Sequence, residues 1–161
     1  MDDDKRPGEI ACALPEKFDA GLYYVGRIRT PWRRRTECPH RGSPDGPLCR
    51  LEIDERWRPA LLGVEEHESL QVLYFMHIAR RDLVIQAPRG RDRAFGTFAL
   101  RSPVRPNPIA TSIVKFVAIE GNTVLVRGLD CLDGTPLLDI KPDRCEFTPL
   151  AAPQAGDFET E

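Results

Sequence analysis

Phe95-Gly96-Thr97-Phe98-Ala99-Leu100-Arg101-Ser102-Pro103-Val104-Arg105-Pro106-Asn107-Pro108-Ile109 leads into two β-rich runs, residues 111–119 and 123–129. These lead in turn into Gly128-Leu129-Asp130-Cys131-Leu132-Asp133-Gly134-Thr135-Pro136-Leu137-Leu138-Asp139-Ile140-Lys141-Pro142. Two polar, proline-locked loops thus flank a predicted β-hairpin. Its connection, Gly121-Asn122, has the glycine-first composition of a two-residue hairpin turn. Pro103, Pro106 and Pro108 each fix φ near −65° and push the preceding residue out of the helical region. Arg101, Ser102, Arg105 and Asn107 therefore sit on stiff, extended backbone that is already restricted in the unfolded chain. The second loop sets Asp130, Asp133 and Asp139 around a Gly134-Thr135-Pro136 turn. Charged, rigid loops on a sheet are how binding sites are commonly built. Local chemistry alone equally allows a pair of well-made surface turns.

Working outward, the 161 residues suit one domain with a buried core. Fifteen prolines and twelve glycines favour a turn-rich, mainly β fold over a helical bundle. No apolar run approaches the roughly 20 residues of a membrane span. The acidic start, residues 1–6, lacks the apolar core of a signal peptide. A cytoplasmic protein without membrane contact is expected. Five cysteines at 12, 38, 49, 131 and 145 form no C-x-x-C pair and no disulfide framework, which suits a reducing compartment. Cys38, His40 and Cys49 offer three ligand types, but their spacing matches no zinc pattern and no metal is expected.

The net charge of −2 hides a segregation. Residues 27–105 hold sixteen arginines and no lysine against ten acids, while both flanks are acidic. Arginine is the residue suited to bidentate phosphate contacts and to stacking on bases. Such a basic half fits an RNA or nucleotide partner, or else a solvated surface. The densest group, Trp32-Arg33-Arg34-Arg35, lies in a long Pro- and Gly-rich loop running to position 47. With an aromatic beside it, Arg33, Arg34 and Arg35 become the first candidates for RNA phosphates, with an exposed solvated loop as the alternative.

Along the chain, residues 1–20 read as a mobile tail or an edge-covering arm. Tyr23-Tyr24-Val25-Gly26-Arg27-Ile28 reads as a first strand and residues 49–53 as a short second one. The run Leu70-Gln71-Val72-Leu73-Tyr74-Phe75-Met76-His77 reads as a strand whose near-continuous apolarity suggests burial on both faces. Residues 83–86 and 94–99 add short strands, and residues 150–161 read as an acidic tail. Six or more short strands with many turns point to a small closed or nearly closed antiparallel β-barrel, or a sandwich, with little helix. The barrel domain is expected over 21–149.

Residues 98–109 and 129–142, in that order, resemble the TsaA family, also called the TrmO family, of tRNA N6-threonylcarbamoyladenosine methyltransferases. Val25-Gly26-Arg27-Ile28-Arg29-Thr30-Pro31-Trp32 resembles the family's opening strand and loop. The resemblance implies a TsaA-like β-barrel that binds S-adenosyl-L-methionine without a Rossmann domain and works as a homodimer. In agreement, no G-x-G-x-x-G follows a strand here. It further implies methylation of N6 of threonylcarbamoyladenosine at position 37, in the anticodon loop of certain tRNAs; DNA is not an expected partner. For the cofactor it points to Pro39, His40, Arg41, His77, Ile78 and Arg101, and to Asp130, Cys131, Leu132, Asp133, Gly134 and Thr135. His77 and Asp133 are the candidate catalytic bases. Arg101 or Arg105 would grip the substrate's threonyl carboxylate, with Asn107 beside them. Longer bacterial relatives carry an additional C-terminal domain for tRNA. Two other readings therefore stay open: a non-catalytic cofactor- or RNA-binding module of the same fold, or a methyltransferase with another acceptor.

Overall fold

The computed structural model describes residues 5–143, so Cys145 and the expected acidic tail lie outside the described residues. Among these residues nine strands follow one another: β1 (Ile10–Ala11), β2 (Gly26–Arg29), β3 (Cys49–Ile53), β4 (Ser69–Phe75), β5 (Leu83–Gln86), β6 (Phe95–Gly96), β7 (Ile109–Glu120), β8 (Thr123–Arg127) and β9 (Pro136–Pro142). Among the described residues, helix is confined to short 3-10 segments at Arg35–Glu37, Glu55–Leu61, Val64–Glu66 and Thr97–Ala99. None of them is long and apolar enough to cross a membrane.

The chain separates into two compact units: the N-terminal residues through Leu22 with Met76–Ala110, and Tyr23–Phe75 with the residues from Thr111 onward. The second unit carries the expected barrel. Six strands close in the order β2-β3-β8-β7-β4-β9, which leaves no unpaired edge. Period-2 alternation makes the interior. In Cys49-Arg50-Leu51-Glu52-Ile53 the odd residues are buried and Arg50 is exposed. Ile28, Leu51, Leu70, Val72, Val124, Val126 and Leu137 are fully excluded from solvent. Such a core forms because alternate residues of every strand face the barrel axis.

Two long strands are bent to close the ring. The pairing of β4 with β9 shifts register between Leu73 and Tyr74, and that of β7 with β8 shifts between Phe116 and Ala118. An extra residue at such a point increases local twist. The hairpin turn is of the glycine-first kind: Glu120 pairs with Thr123, and Gly121 has φ +64° while Asn122 stays at negative φ.

Three strand readings need correction, one being residues 94–99, of which only Phe95–Gly96 is strand and Thr97–Ala99 a 3-10 turn. Burial in β4 alternates instead of covering both faces: Leu70, Val72 and Tyr74 are buried, whereas Leu73 and Phe75 are half-buried. An apolar run cannot distinguish these cases, because the outer face of a barrel strand tolerates apolar residues too. The strand read from Tyr23 is β2, and it begins three residues later, at Gly26. Gly26 passes so close to β3 that a Cβ there would overlap the Glu52 carbonyl oxygen.

The first unit is a three-stranded sheet in the order β1-β5-β6. Of the two roles open to the N-terminal segment, residues 10–11 take that of edge-covering arm, since Ile10 pairs with Ile85 and Ala11 with Leu83. Residues 76–110, read from sequence as part of the 21–149 body, form this unit together with that arm. A buried polar knot holds it. Gln86 Nε2 donates to Thr97 Oγ1 and to the Val104 carbonyl, each at 2.7 Å. Thr97 Oγ1 donates to the Leu83 carbonyl at 2.7 Å.

Candidate functional site

In the barrel unit the candidate residues gather at the end where β8 runs through residues 128–135 into β9. This loop is fixed on one side by the exit of β2. The Gly134 N–H donates to the Ile28 carbonyl and the Asp133 N–H to the Trp32 carbonyl, each at 2.8 Å. The Thr30 hydroxyl donates to the Cys131 carbonyl at 2.9 Å, and the Thr30 N–H to Asp133 Oδ1 at 3.2 Å. Asp133 Oδ2 lies 3.9 Å from Arg29, whose Nε donates to Glu52 at 2.8 Å. The Asp133 carboxylate thus caps the junction of two loops while remaining exposed. Thr135 is buried, and its hydroxyl donates to the Leu132 carbonyl at 2.7 Å. Gly134, at φ +80°, makes a turn that other residues adopt only with strain.

The opposite side of the loop meets the barrel wall. Tyr74, on β4 and 2 % exposed, donates its phenol proton to Asp130 Oδ1 at 2.8 Å. Its oxygen also lies 2.9 Å from Ser112 Oγ on β7. Burial first, and then the neighbouring Asp130 charge, push the Tyr74 hydroxyl far above its ordinary pKa. It is therefore a neutral donor at any working pH. Asp130 itself is half-buried.

The loop bearing Pro39, His40 and Arg41 reaches the same end. Gly42 lies against the Gly128 carbonyl so closely that a Cβ would overlap it. Cys38 stands near enough to Asp130 for that charge, after burial itself, to push its thiol up. Pro39, His40 and Arg41 are all exposed. Inside the barrel, burial raises the Cys49 thiol to about 11, and burial and then Asp130 raise Cys131 further. Neither is a thiolate at neutral pH, so neither is suited to nucleophilic chemistry. Just before this loop, Arg33, Arg34 and Arg35 are exposed. Their backbone is pinned by Glu37, which accepts the N–H groups of Arg33 (2.8 Å) and Arg34 (3.1 Å).

The remaining candidates belong to the first unit. His77 and Ile78 are exposed on a turn closed by the Ala79 N–H onto the Met76 carbonyl. Arg101 is exposed. Arg105 is turned inward, its Nη1 donating to the carbonyls of Leu100 (3.2 Å) and Ser102 (3.3 Å). Asn107 Oδ1 accepts from Arg81 at 3.0 Å. Arg81 also donates to the Pro106 carbonyl and lies over the Phe18 ring, 5.0 Å from its centroid.

Sequence reasoning missed Tyr74, Ser112 and Gly42. Tyr74 carries the one polar tip on an inward row otherwise made of Leu70 and Val72, and that break in pattern was its available signal. Two open clefts of about 380 and 830 Å³ lie elsewhere on the barrel, beside the Gly121-Asn122 turn. Neither is lined by any residue of 128–135.

Residues 27–147 match the family described as the tRNA-methyltransferase O N-terminal domain. Among similar proteins is a probable S-adenosyl-L-methionine-binding protein, VirR, of Rhizobium radiobacter. It is 57% identical over 146 residues, which cover 91% of this chain and 83% of the relative. The tRNA (adenine(37)-N6)-methyltransferase of Mus musculus is 38% identical over 122 residues, covering 74% of this chain and 28% of the mouse protein. A crystal structure of TrmO from Pseudomonas aeruginosa superposes with a TM-score of 0.67 at 27% identity, covering 86% of this chain and 62% of that one. The chain thus spans about three-fifths of the solved TrmO chain.

Proposed function

This chain belongs to the tRNA-methyltransferase O (TrmO) family, and on that premise we propose that it is an S-adenosyl-L-methionine-dependent tRNA methyltransferase. The acceptor proposed is N6 of threonylcarbamoyladenosine at position 37 of the anticodon loop. The observation that carries the reading is the Asp130–Thr135 loop, held on one side by Thr30 and Trp32 and on the other by Tyr74.

The polar groups there fit the cofactor. Asp130 and Asp133 are carboxylates suited to ribose hydroxyls and to the field of a cationic sulfur. At Gly134 a side chain would meet nothing nearer than an Arg29 nitrogen at 3.9 Å, so the turn leaves room for a ligand to approach its backbone. Pro39, His40 and Arg41 complete the proposed cofactor set of the barrel unit, and His77, Ile78 and Arg101 are candidates carried by the other unit. When bound, the cofactor supplies an electrophilic methyl group. The protein's share is alignment, and in well-placed cases orientation alone is worth roughly 7–11 kcal/mol.

The acceptor is a urea-type nitrogen that attacks more readily once its proton is lost. Asp133 and His77 are the proposed acceptors of that proton. Arg101, exposed on the proline-locked loop, suits the threonyl carboxylate better than Arg105, whose guanidinium is already bound to two carbonyls. Arg33, Arg34 and Arg35 would hold phosphates. A base of the anticodon loop is single-stranded, so presenting it avoids much of the unpairing that a duplex would require. The protein is proposed to act in the cytoplasm as a homodimer, an association supported by Ile113 and Val117, both exposed on the outer face of β7.

Calorimetric titration with S-adenosyl-L-methionine, then mass spectrometry of tRNA nucleosides after incubation, tests the reading. Binding with a one-methyl gain on threonylcarbamoyladenosine is expected. Binding without methylation of any tRNA would favour a non-catalytic binding module, a reading that the name of the VirR relative supports. Changing Arg33, Arg34 and Arg35 together to alanine should flatten the salt dependence of tRNA binding. The log–log slope should fall by about 2, at roughly 0.7 per phosphate contact, with cofactor affinity unchanged. An unaltered slope removes this loop from the RNA contact.

A further inference from the structure

We infer that Ser112 and Tyr74 form a hydroxyl relay that positions Asp130 for the ligand, so that the cofactor site extends into the barrel wall through two residues that stand behind Asp130. The inference rests on the cofactor reading above and assigns its supporting shell.

Proton counting fixes the direction of the relay. An ionised carboxylate only accepts, so the single Tyr74 proton goes to Asp130 Oδ1, at 2.8 Å. Tyr74 then has only a lone pair to offer Ser112 Oγ at 2.9 Å, so Ser112 must donate its own proton. The chain runs Ser112 O–H to Tyr74 O–H to the Asp130 carboxylate. Hydrogen bonds arranged head to tail in this way polarise and strengthen one another. The high pKa of Tyr74 ensures that this donor is never lost.

Three elements are tied together by two bonds: β4 through Tyr74, β7 through Ser112 and the 128–135 loop through Asp130. For packing alone, phenylalanine would fill the place of Tyr74, whose neighbours on the inward row of β4 are Leu70 and Val72. A barrel interior without the polar chain would also avoid the buried hydroxyl of Tyr74. What the chain adds is a fixed orientation for one carboxylate beside the Cys38–Gly42 loop, with its Oδ1 held to the wall. Orientation of a charged group by locked neighbours is what a binding loop requires.

The test uses the full chain and S-adenosyl-L-methionine as probe, with calorimetric affinity and thermal midpoint measured in parallel. Ser112→Ala removes the outer donor but leaves the Tyr74–Asp130 bond. Tyr74→Phe removes both bonds while keeping the ring. Tyr74→Phe is expected to weaken binding about tenfold or more, Ser112→Ala by a smaller factor of a few, and Ser112→Thr, which keeps a hydroxyl, should restore it. In an Asp130→Ala background, Ser112→Ala should have almost no further effect on affinity, because the group it orients is gone. That loss of coupling separates positioning from mere stability. If the wild-type protein fails to bind, the cofactor reading fails. If it binds and both single variants bind equally well, or their losses simply add to that of Asp130→Ala, the relay is overturned and the hydroxyls are structural.

Discussion

Leu137→Ala is expected to lower the stability of the barrel unit by about 2–5 kcal/mol, as for other fully buried leucines truncated in a core. Leu137 has no exposed surface and sits on β9, the strand that closes the ring. It faces Gly26 of β2 on one side and Tyr74 of β4 on the other, and its carbonyl accepts the Val25 N–H at 2.8 Å. Truncating its isobutyl side chain to a methyl leaves a void where two seams of the barrel meet. Backbone bonds on both flanks hinder collapse around that void, which is the condition under which a cavity is most destabilising. Chemical denaturation of the two proteins should show a large fall in midpoint with little change in slope. Leu62→Ala is the control. Leu62 is 92% exposed and its loss should lie within about 0.5 kcal/mol of neutral. A change at Leu137 no larger than that of the control would mean that the barrel is not closed through β9.

Gly42→Ala is the second large effect, and it reads out on ligand binding as well as on stability. The Cβ would overlap the Gly128 carbonyl oxygen and lie 3.1 Å from the carbonyl carbon of Leu129. Both obstacles are backbone. Gly128 cannot retreat easily, because it is buried at φ +116° with the Ile113 carbonyl oxygen 3.1 Å from its own Cβ position. One of two loops must move, and overpacking of this kind costs typically about 1–3 kcal/mol. Whichever moves, Pro39, His40 and Arg41 part from Asp130. Affinity for S-adenosyl-L-methionine should therefore fall by more than the same change at Gly21 produces, a site where a Cβ meets nothing. Unchanged affinity in a folded Gly42→Ala protein would exclude the 39–41 loop from the cofactor site.

Much of the barrel was legible in the chain because strand formation is encoded locally. Alternation in Cys49-Arg50-Leu51-Glu52-Ile53 and the Gly121-Asn122 turn each state their structure within a few residues. Where the reading slipped, the deciding interaction was distant. The start of β2 depends on how closely Gly26 approaches Glu52, and the half-burial of Phe75 depends on what covers the outside of the sheet. The site shows the same division. Asp130 and Asp133 stood out as carboxylates on a glycine-proline turn. Their different anchoring did not: Asp133 is bound by the Thr30 N–H, while Asp130 is bound by a tyrosine 56 positions earlier in the chain. Arg105 looked like a ligand-gripping arginine from its proline-rich setting. In the fold its guanidinium satisfies the carbonyls of its own loop, an outcome that depends on backbone geometry no motif records.

By itself, then, the sequence determined most strands of the barrel, the turn between β7 and β8 and the stiff proline-locked loop. Each of these follows from residue type and short spacing. Only the tertiary structure decided which strands close the barrel and that residues 76–110 join the N-terminal arm in a separate unit. It alone brought Ser112, Tyr74 and Asp130 into one hydrogen-bonded line. The physical reason is range. Side-chain alternation and φ restriction act over a few residues, whereas ring closure and the hydroxyl relay are set by which segments meet once the core has formed.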